Sequence, residues 1–239
     1  MPYVAKRECK SKKQLITRDC DIRRVLLANL KGRYNNPAYD LILEEFGCNS
    51  ARADIAVVNG SLHAFEIKSD SDTLDRLPSQ IEAYQGVFEY VTLVCGDRLL
   101  DRARRSIPEW WGLQKAEYDG NEVVLSSVKE PKLNPSLDPL ALAGMLWKTE
   151  ALACLRKYGH RVATSRNTAD EVSRAVAECI PVPVLTDEVR QAIKARGGSG
   201  FARRSAQDDD SCTTGSTVPL NHSPDLSWLL VEQYRRHLD

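Results

Sequence analysis

Three E-x-K tripeptides occur in this sequence: Glu8-Cys9-Lys10, Glu66-Ile67-Lys68 and Glu130-Pro131-Lys132. The tripeptide alone carries no chemistry, and its setting separates the three. The first lies in a basic arm with no strand pattern, and the third holds a proline in a Pro-rich stretch. The second sits in LHAFEIK, whose period of two predicts a strand. Side chains two apart on a strand share a face, so Glu66 and Lys68 point one way while Phe65 and Ile67 point into the opposite packing layer. An acid and a lysine among buried hydrophobes require partners, because an unpaired buried charge is costly.

Asp54 supplies a partner. It lies near the start of the preceding strand, RADIAVV, which is apolar after that position. Two carboxylates meeting across a hairpin make a pocket of hard oxygens for a divalent cation, Mg²⁺ or Mn²⁺, and the Ile67 carbonyl adds a further ligand. Such an ion polarises a phosphoryl oxygen and lowers the pKa of a bound water, and Lys68 orients that water or offsets developing negative charge. The geometry imposes a condition. A two-residue Asn59-Gly60 turn would put Asp54 and Glu66 on opposite faces. The site therefore requires an odd-length loop, such as Val58-Asn59-Gly60 with a bulge, or a bulge elsewhere. The plainer alternative is a cross-strand salt bridge on an exposed sheet face.

These residues need elements to hold them. Helical spacing predicts a helix over 14–31 ending near Gly32, and a second over 38–46 closed by Gly47. After the hairpin, TLDRLPSQIEAYQGVFEY predicts a helix with Asp72 as N-cap, Pro78 in its first turn, and Leu77, Ile81, Tyr84 and Phe88 on one stripe. YVTLVC reads as a buried strand, LLDRARRSIPEWW as a short helix with a proline break, and GLQKAEYD with NEVVLSSV as a hairpin around Asp119-Gly120. EPKLNPSLDP has the composition of a linker. Beyond it, 139–158, 168–180 and 186–196 predict three helices, 197–217 is low-complexity, and PDLSWLLVEQYRRHL predicts a terminal helix. The alternation of periods places the chain in the α/β class, with a mixed sheet.

Net charge is zero over the whole sequence, but residues 1–33 hold ten Lys/Arg against three Asp/Glu, or +7, and residues 34–100 hold four against eleven, or −7. A basic arm beside an acidic middle suits a polyanion contacted by the one and a metal held by the other, and a solvated basic helix is the alternative. Seven dispersed cysteines with no C-x-x-C indicate reduced thiols rather than a disulfide frame or a zinc site. No stretch approaches the roughly 18 apolar residues of a membrane span, so a cytoplasmic protein without a membrane partner is expected.

At Asp54 and Glu66-Ile67-Lys68 the chain resembles the PD-(D/E)XK superfamily of nucleases, in which an Asp on one strand and (D/E)-x-K on the next form the metal site. The proline of the motif is absent, Ala53 standing before Asp54. Members often add a glutamate from the preceding helix, and Glu45 occupies that place, with Glu44 beside it. Gln80-Ile81-Glu82-Ala83-Tyr84 resembles the Q-x-x-x-Y element of RecB-like members, which lies near the nucleic acid. Ordinary helix packing by Tyr84 is the alternative. The longer run from Arg52 through GDRL, LDPLALAGMLWKTEALACLRKYG and Lys194-Ala195-Arg196 resembles an uncharacterised family of bacterial and phage-associated proteins. LACLRKYGHRVATSRNTADEVSRAVAE resembles small DNA-binding modules of the SAP type, with Arg161 and Arg166 on phosphates, a plain helical appendage being the alternative.

The resemblance implies a restriction-endonuclease-like core over 14–130, a mixed β-sheet flanked by helices. A basic arm at 1–13 precedes it, and a helical C-terminal region at 139–196 and a flexible tail at 197–239 follow. It implies a Mg²⁺-dependent nuclease hydrolysing phosphodiester bonds, DNA favoured, with Asp54, Glu66, Lys68 and Glu45 catalytic and Gln80, Tyr84, Arg161 and Arg166 binding substrate. A homodimer would suit double-strand cleavage with one site per chain. The alternative function is a non-catalytic nucleic-acid-binding or regulatory protein that retains the fold. His63 is expected to point away from Glu66, His160 to cap a helix end, and no nucleophile elbow or phosphate loop is present.

Overall fold

A computed structural model describes residues 16–48, 50–160 and 167–197. The basic arm, Arg161, Arg166 and the tail beyond 197 lie outside the described residues. Six strands form one sheet in chain order: β1 (Leu41–Cys48), β2 (Ala51–Val58), β3 (Leu62–Lys68), β4 (Tyr90–Gly96), β5 (Gly112–Asp119) and β6 (Glu122–Lys129). The first three run antiparallel, β3, β4 and β5 are parallel, and β6 returns antiparallel. Parallel neighbours need crossovers, supplied by α2 (Leu77–Gln85) and by a 3₁₀ turn, Asp97–Leu99, leading into α3 (Leu100–Ser106). The mixed α/β sheet expected from the alternating periods is therefore present.

Helix α1 (Asp19–Arg33) covers one face, laying Ile22, Leu26 and Leu30 against Ile55, Val57, Phe65 and Ile67. These three helix positions are four apart, one stripe of an amphipathic helix. The other face carries α2 and α3 together with α4 (Pro139–Ala143), α5 (Lys148–Lys157), α6 (Ala169–Cys179) and α7 (Val182–Ala195). Tyr84, Phe88, Trp111, Leu113, Leu155 and Leu185 belong to that single apolar cluster, so the C-terminal helices share a core with the sheet.

Several local expectations are corrected. Residues 38–46 are not a helix, because β1 runs through them and pairs with β2 from Leu41↔Val58 to Cys48↔Ala51. The misleading feature is Glu45, whose φ of 53° resets the alternation of the strand. Leu43 and Phe46 then face the same core three residues apart, a helical spacing produced by a kinked strand. Asp72 does not cap α2. It accepts from the Ser69 N–H and Oγ, both at 2.7 Å, and closes the turn after β3, while α2 starts later with Pro78 in its first turn. The helix expected over 139–158 is two helices. The Glu150 carboxylate accepts the Trp147 N–H at 2.7 Å and starts α5 afresh, with Arg196 bound to the same carboxylate.

The Pro-rich segment after β6 lies firmly on the core. Asn134 donates from Nδ2 to the carbonyls of Gln85 (2.6 Å) and Phe88 (2.9 Å) and accepts the Ser136 N–H at 2.8 Å. Its own N–H reaches the Glu89 carbonyl at 2.9 Å. The side chain is thus a plug that satisfies the end of α2. Asn134→Ala strands two carbonyls at a buried position and should lower stability by about 2 kcal/mol in urea denaturation, against about 0.5 kcal/mol for an exposed polar-to-Ala change. Equal losses would show that the plug contributes nothing.

Candidate active site

The loop between β2 and β3 is Asn59-Gly60-Ser61, with Val58 paired to Leu62. Asn59 builds it: its Oδ1 accepts the Ser61 N–H at 2.9 Å, an Asx turn. Three residues make the loop odd, as the site requires, one residue later than Val58-Asn59-Gly60. The register runs to Ile55↔Phe65, and its continuation sets Asp54 opposite Glu66. Regular pairing ends there. Instead the Asp54 Oδ2 accepts the Ile67 N–H at 2.7 Å, the carboxylate standing in for a backbone carbonyl. The N–H and C=O of a strand residue point the same way, so the Ile67 carbonyl faces the same opening between β2 and β3.

Beyond that opening Glu66 and Lys68 turn towards α2. Glu66 is 2% exposed and Lys68 5%. Lys68 Nζ is ion-paired with Glu66 Oε1, and Gln80 Nε2 donates to the same oxygen. The Tyr84 hydroxyl lies 2.7 Å from Glu66 Oε2 and 2.8 Å from the Arg52 carbonyl. Gln80 and Tyr84 are four apart on α2 and therefore present one face, here aimed at Glu66. Tyr84 is wholly buried and stacks on Trp111 at 6.0 Å, so its role in this arrangement is to hold Glu66. The Gln80 Oε1 is buried with no hydrogen-bond partner.

Asp54 faces the other way as well. Arg23 of α1 donates from Nη2 to Asp54 Oδ1 at 2.8 Å and from Nη1 to the Asp54 carbonyl at 3.2 Å. The same guanidinium meets Glu45 at 3.0 Å and Asp19 at 3.2 Å, and Glu45 also binds Arg52 at 2.8 Å. Glu45 thus lies on a strand rather than a preceding helix, and it reaches the site through Arg23. Burial disfavours the charge on Arg23, but Asp19 and Asp54 together outweigh it and raise its pKa. Sequence reasoning missed Arg23, since an Asp19/Arg23 pair four apart reads as a solvated helix surface. It also missed Asp70, which accepts the Thr17 N–H (2.9 Å) and hydroxyl (2.8 Å) and the Arg98 N–H (3.0 Å), tying the approach to α1 onto the end of β3.

The site therefore gathers Asp54, Glu66, Lys68, Gln80 and Tyr84, with Glu45 one side chain removed. Among the described residues no three Asp, Glu, His or Cys side chains cluster to hold a metal. An ion here would rest on two carboxylates and a backbone carbonyl. His63 points to the α1 face, stacked on Phe65 at 4.2 Å and hydrogen-bonded to Thr92 Oγ1 at 2.9 Å, and burial drops its pKa to about 3. His160 closes α5 through its backbone N–H on the Leu155 carbonyl, with Gly159 at φ 78°.

Burial, and then the charge of Asp54, raise the pKa of Glu66, and Lys68 and Tyr84 pull it back. A raised folded-state pKa means that the folded chain binds this proton more tightly than the unfolded one. Its contribution to stability is complete below the ordinary glutamate range and is lost as pH rises through the folded value. Tyr84→Phe removes one of the groups that favour the carboxylate. Carboxyl-carbon NMR should find Glu66 titrating at higher pH in Tyr84→Phe than in the unsubstituted chain, and an unchanged midpoint would remove Tyr84 from the network.

No helix among the described residues is long and apolar enough to cross a membrane. Protein cII of Enterobacteria phage P4 is 34% identical over 110 residues, which are 46% of this chain and 42% of that protein, so the chain spans less than half the length of this relative. A solved protein of unknown function from Silicibacter pomeroyi is similar over 57% of this chain and 94% of its own, at 18% identity and a TM-score of 0.33, too low to indicate a shared fold. A family model described as bacteriophage P4 protein cII matches residues 12–207, which take in the whole described sheet and every described helix. The chain belongs to the bacteriophage P4 protein cII family.

Proposed function

We propose that this protein hydrolyses phosphodiester bonds in nucleic acid, DNA in the first instance, at the opening between β2 and β3. One observation carries the reading. Asp54 and the Glu66–Lys68 pair come from different strands and meet where regular pairing between those strands stops, with Glu66 and Lys68 almost wholly buried. The order Asp, then E-x-K, then Q-x-x-x-Y matches the PD-(D/E)XK motif that the sequence resembles, and the strand–strand–helix setting suits it.

The donor set fits a divalent ion. Burial and the charge of Asp54 raise the proton affinity of Glu66, and the Ile67 carbonyl turns to the same opening. Mg²⁺ or Mn²⁺ would be held by Asp54, Glu66 and that carbonyl, and supplies Lewis-acid polarisation of a phosphoryl oxygen and a more acidic bound water. The chain's own residues have separable tasks. Tyr84 and Gln80 fix the Glu66 carboxylate. The Ile67 N–H fixes Asp54. Lys68 places a positive charge at the carboxylate edge, where it offsets charge developing on a phosphoryl group.

A second reading is a nucleic-acid-binding or regulatory protein with no turnover, in which the same residues form a polar brace. It is favoured by the saturation of the two carboxylates, whose four oxygens each already have a donor from the chain. The description of the P4 cII family assigns no chemistry. The two readings part on turnover. The full chain is incubated with single-stranded, duplex and branched DNA and with RNA, in Mg²⁺ or Mn²⁺. Cleavage that falls on the order of a hundredfold or more in Asp54→Asn and in Lys68→Ala supports hydrolysis. Salt-sensitive binding without cleavage on any substrate, unchanged by either substitution, supports the second reading.

A further inference from the structure

Arg23 is absent from the motif yet makes four polar contacts at the site: Asp19, Glu45, and both the side chain and carbonyl of Asp54. Its side chain is 19% exposed and that of Asp54 is 20%, so the pair is shielded from most of the solvent. We propose that Arg23 and a divalent ion compete for Asp54, making Arg23 the residue that sets the ion affinity of the site from outside the ligand set. The inference rests on the ion-binding reading given above.

Two effects of removing Arg23 oppose each other. Loss of a partner that orients a ligand typically weakens metal binding ten- to a hundredfold. Loss of a positive charge beside the ligand strengthens the attraction for a doubly charged ion. Asp54 decides between them. Its Oδ2 stays fixed on the Ile67 N–H at 2.7 Å, so orientation survives without Arg23 and the charge effect dominates. The exchange is also undemanding for Arg23. When an ion takes Asp54, the guanidinium keeps Asp19 at 3.2 Å and Glu45 at 3.0 Å. Glu45 is held ready for this by its own kinked backbone, φ 53°, and by Arg52. Such an outlier persists only where surrounding contacts impose it.

The test measures Mn²⁺ binding to the full chain by calorimetry, with no nucleic acid present. Arg23→Gln should bind Mn²⁺ about tenfold more tightly than the unsubstituted chain. Arg23→Lys gives up the forked contacts but keeps the positive charge that opposes the ion, and should stay within about threefold of it. Asp54→Asn should abolish binding. Equal or weaker binding by Arg23→Gln, with Asp54→Asn still abolishing it, overturns the competition and leaves the ion site standing. Absence of any Asp54-dependent binding overturns both. A second measurement needs no Arg23 variant. In the unsubstituted chain, the Arg23 Nη resonances, whose protons reach Asp54, should move as Mg²⁺ saturates the site, and should not move in Asp54→Asn. Resonances that stay in place at saturation overturn the competition even if Arg23→Gln does not fold.

Discussion

A glutamate and a lysine drawn out of water together at the end of β3 set the terms for what surrounds them. Desolvating two such groups costs several kcal/mol each, and their mutual attraction repays this only when the remaining hydrogen-bonding capacity is met. Glu66 has that capacity met by α2: Gln80 on one oxygen and Tyr84 on the other. Helix α2 can deliver both because its apolar residues, Leu77, Ala83 and Tyr84 itself, seat it on the sheet at a fixed rotation. The polar network and the apolar seating are one constraint, since a helix rotated off that seat would strand the carboxylate.

The opening in the sheet has its own cause. β1 and β2 pair one for one along their length, yet the side-chain alternation of both resets at the facing positions Glu45 and Asp54. Ala53 faces one cluster and Ile55 the other, and Asp54 falls between. Its carboxylate can then bridge from the Ile67 N–H to Arg23. Through Arg23 the site is joined to α1, and through Thr17 and Asp70 the approach to α1 is pinned to the residues following Lys68. Both faces of the sheet therefore contribute a cation to one group of carboxylates, Lys68 from one side and Arg23 from the other.

Membership of the P4 cII family extends through residue 207 and so includes the helices α4 to α7. Leu142, Leu155, Val172 and Leu185 belong to the same apolar cluster as Tyr84 and Phe88, and Asn134 and Arg190 tie this layer to Glu89 and the end of α2. The helical region is a cover for the sheet, and its loss would expose the face that seats α2.

Sequence and structure divide cleanly at the site. Side-chain types and a period of two were enough to single out Glu66-x-Lys68, to separate it from the tripeptides at Glu8 and Glu130, and to demand an odd-length loop or a bulge between the two strands, because strand alternation is a local property of the chain. The strands β2 to β6 and the helices α1, α2, α3 and α6 were legible for the same reason. The strand β1 was not, since its spacing is that of a kink imposed by its pairing with β2. Nor was the break between α4 and α5, where Glu150 turns back onto the Trp147 N–H and also holds Arg196 from forty-six residues away. Arg23 was hidden because its helix position is unremarkable until the sheet brings Asp54 and Glu45 beneath it. The sequence by itself determined which groups carry charge and on which face of a strand they stand. Only the tertiary structure decided which of those charges meet, because a buried ion pair is chosen by the packing that removes its alternatives in water.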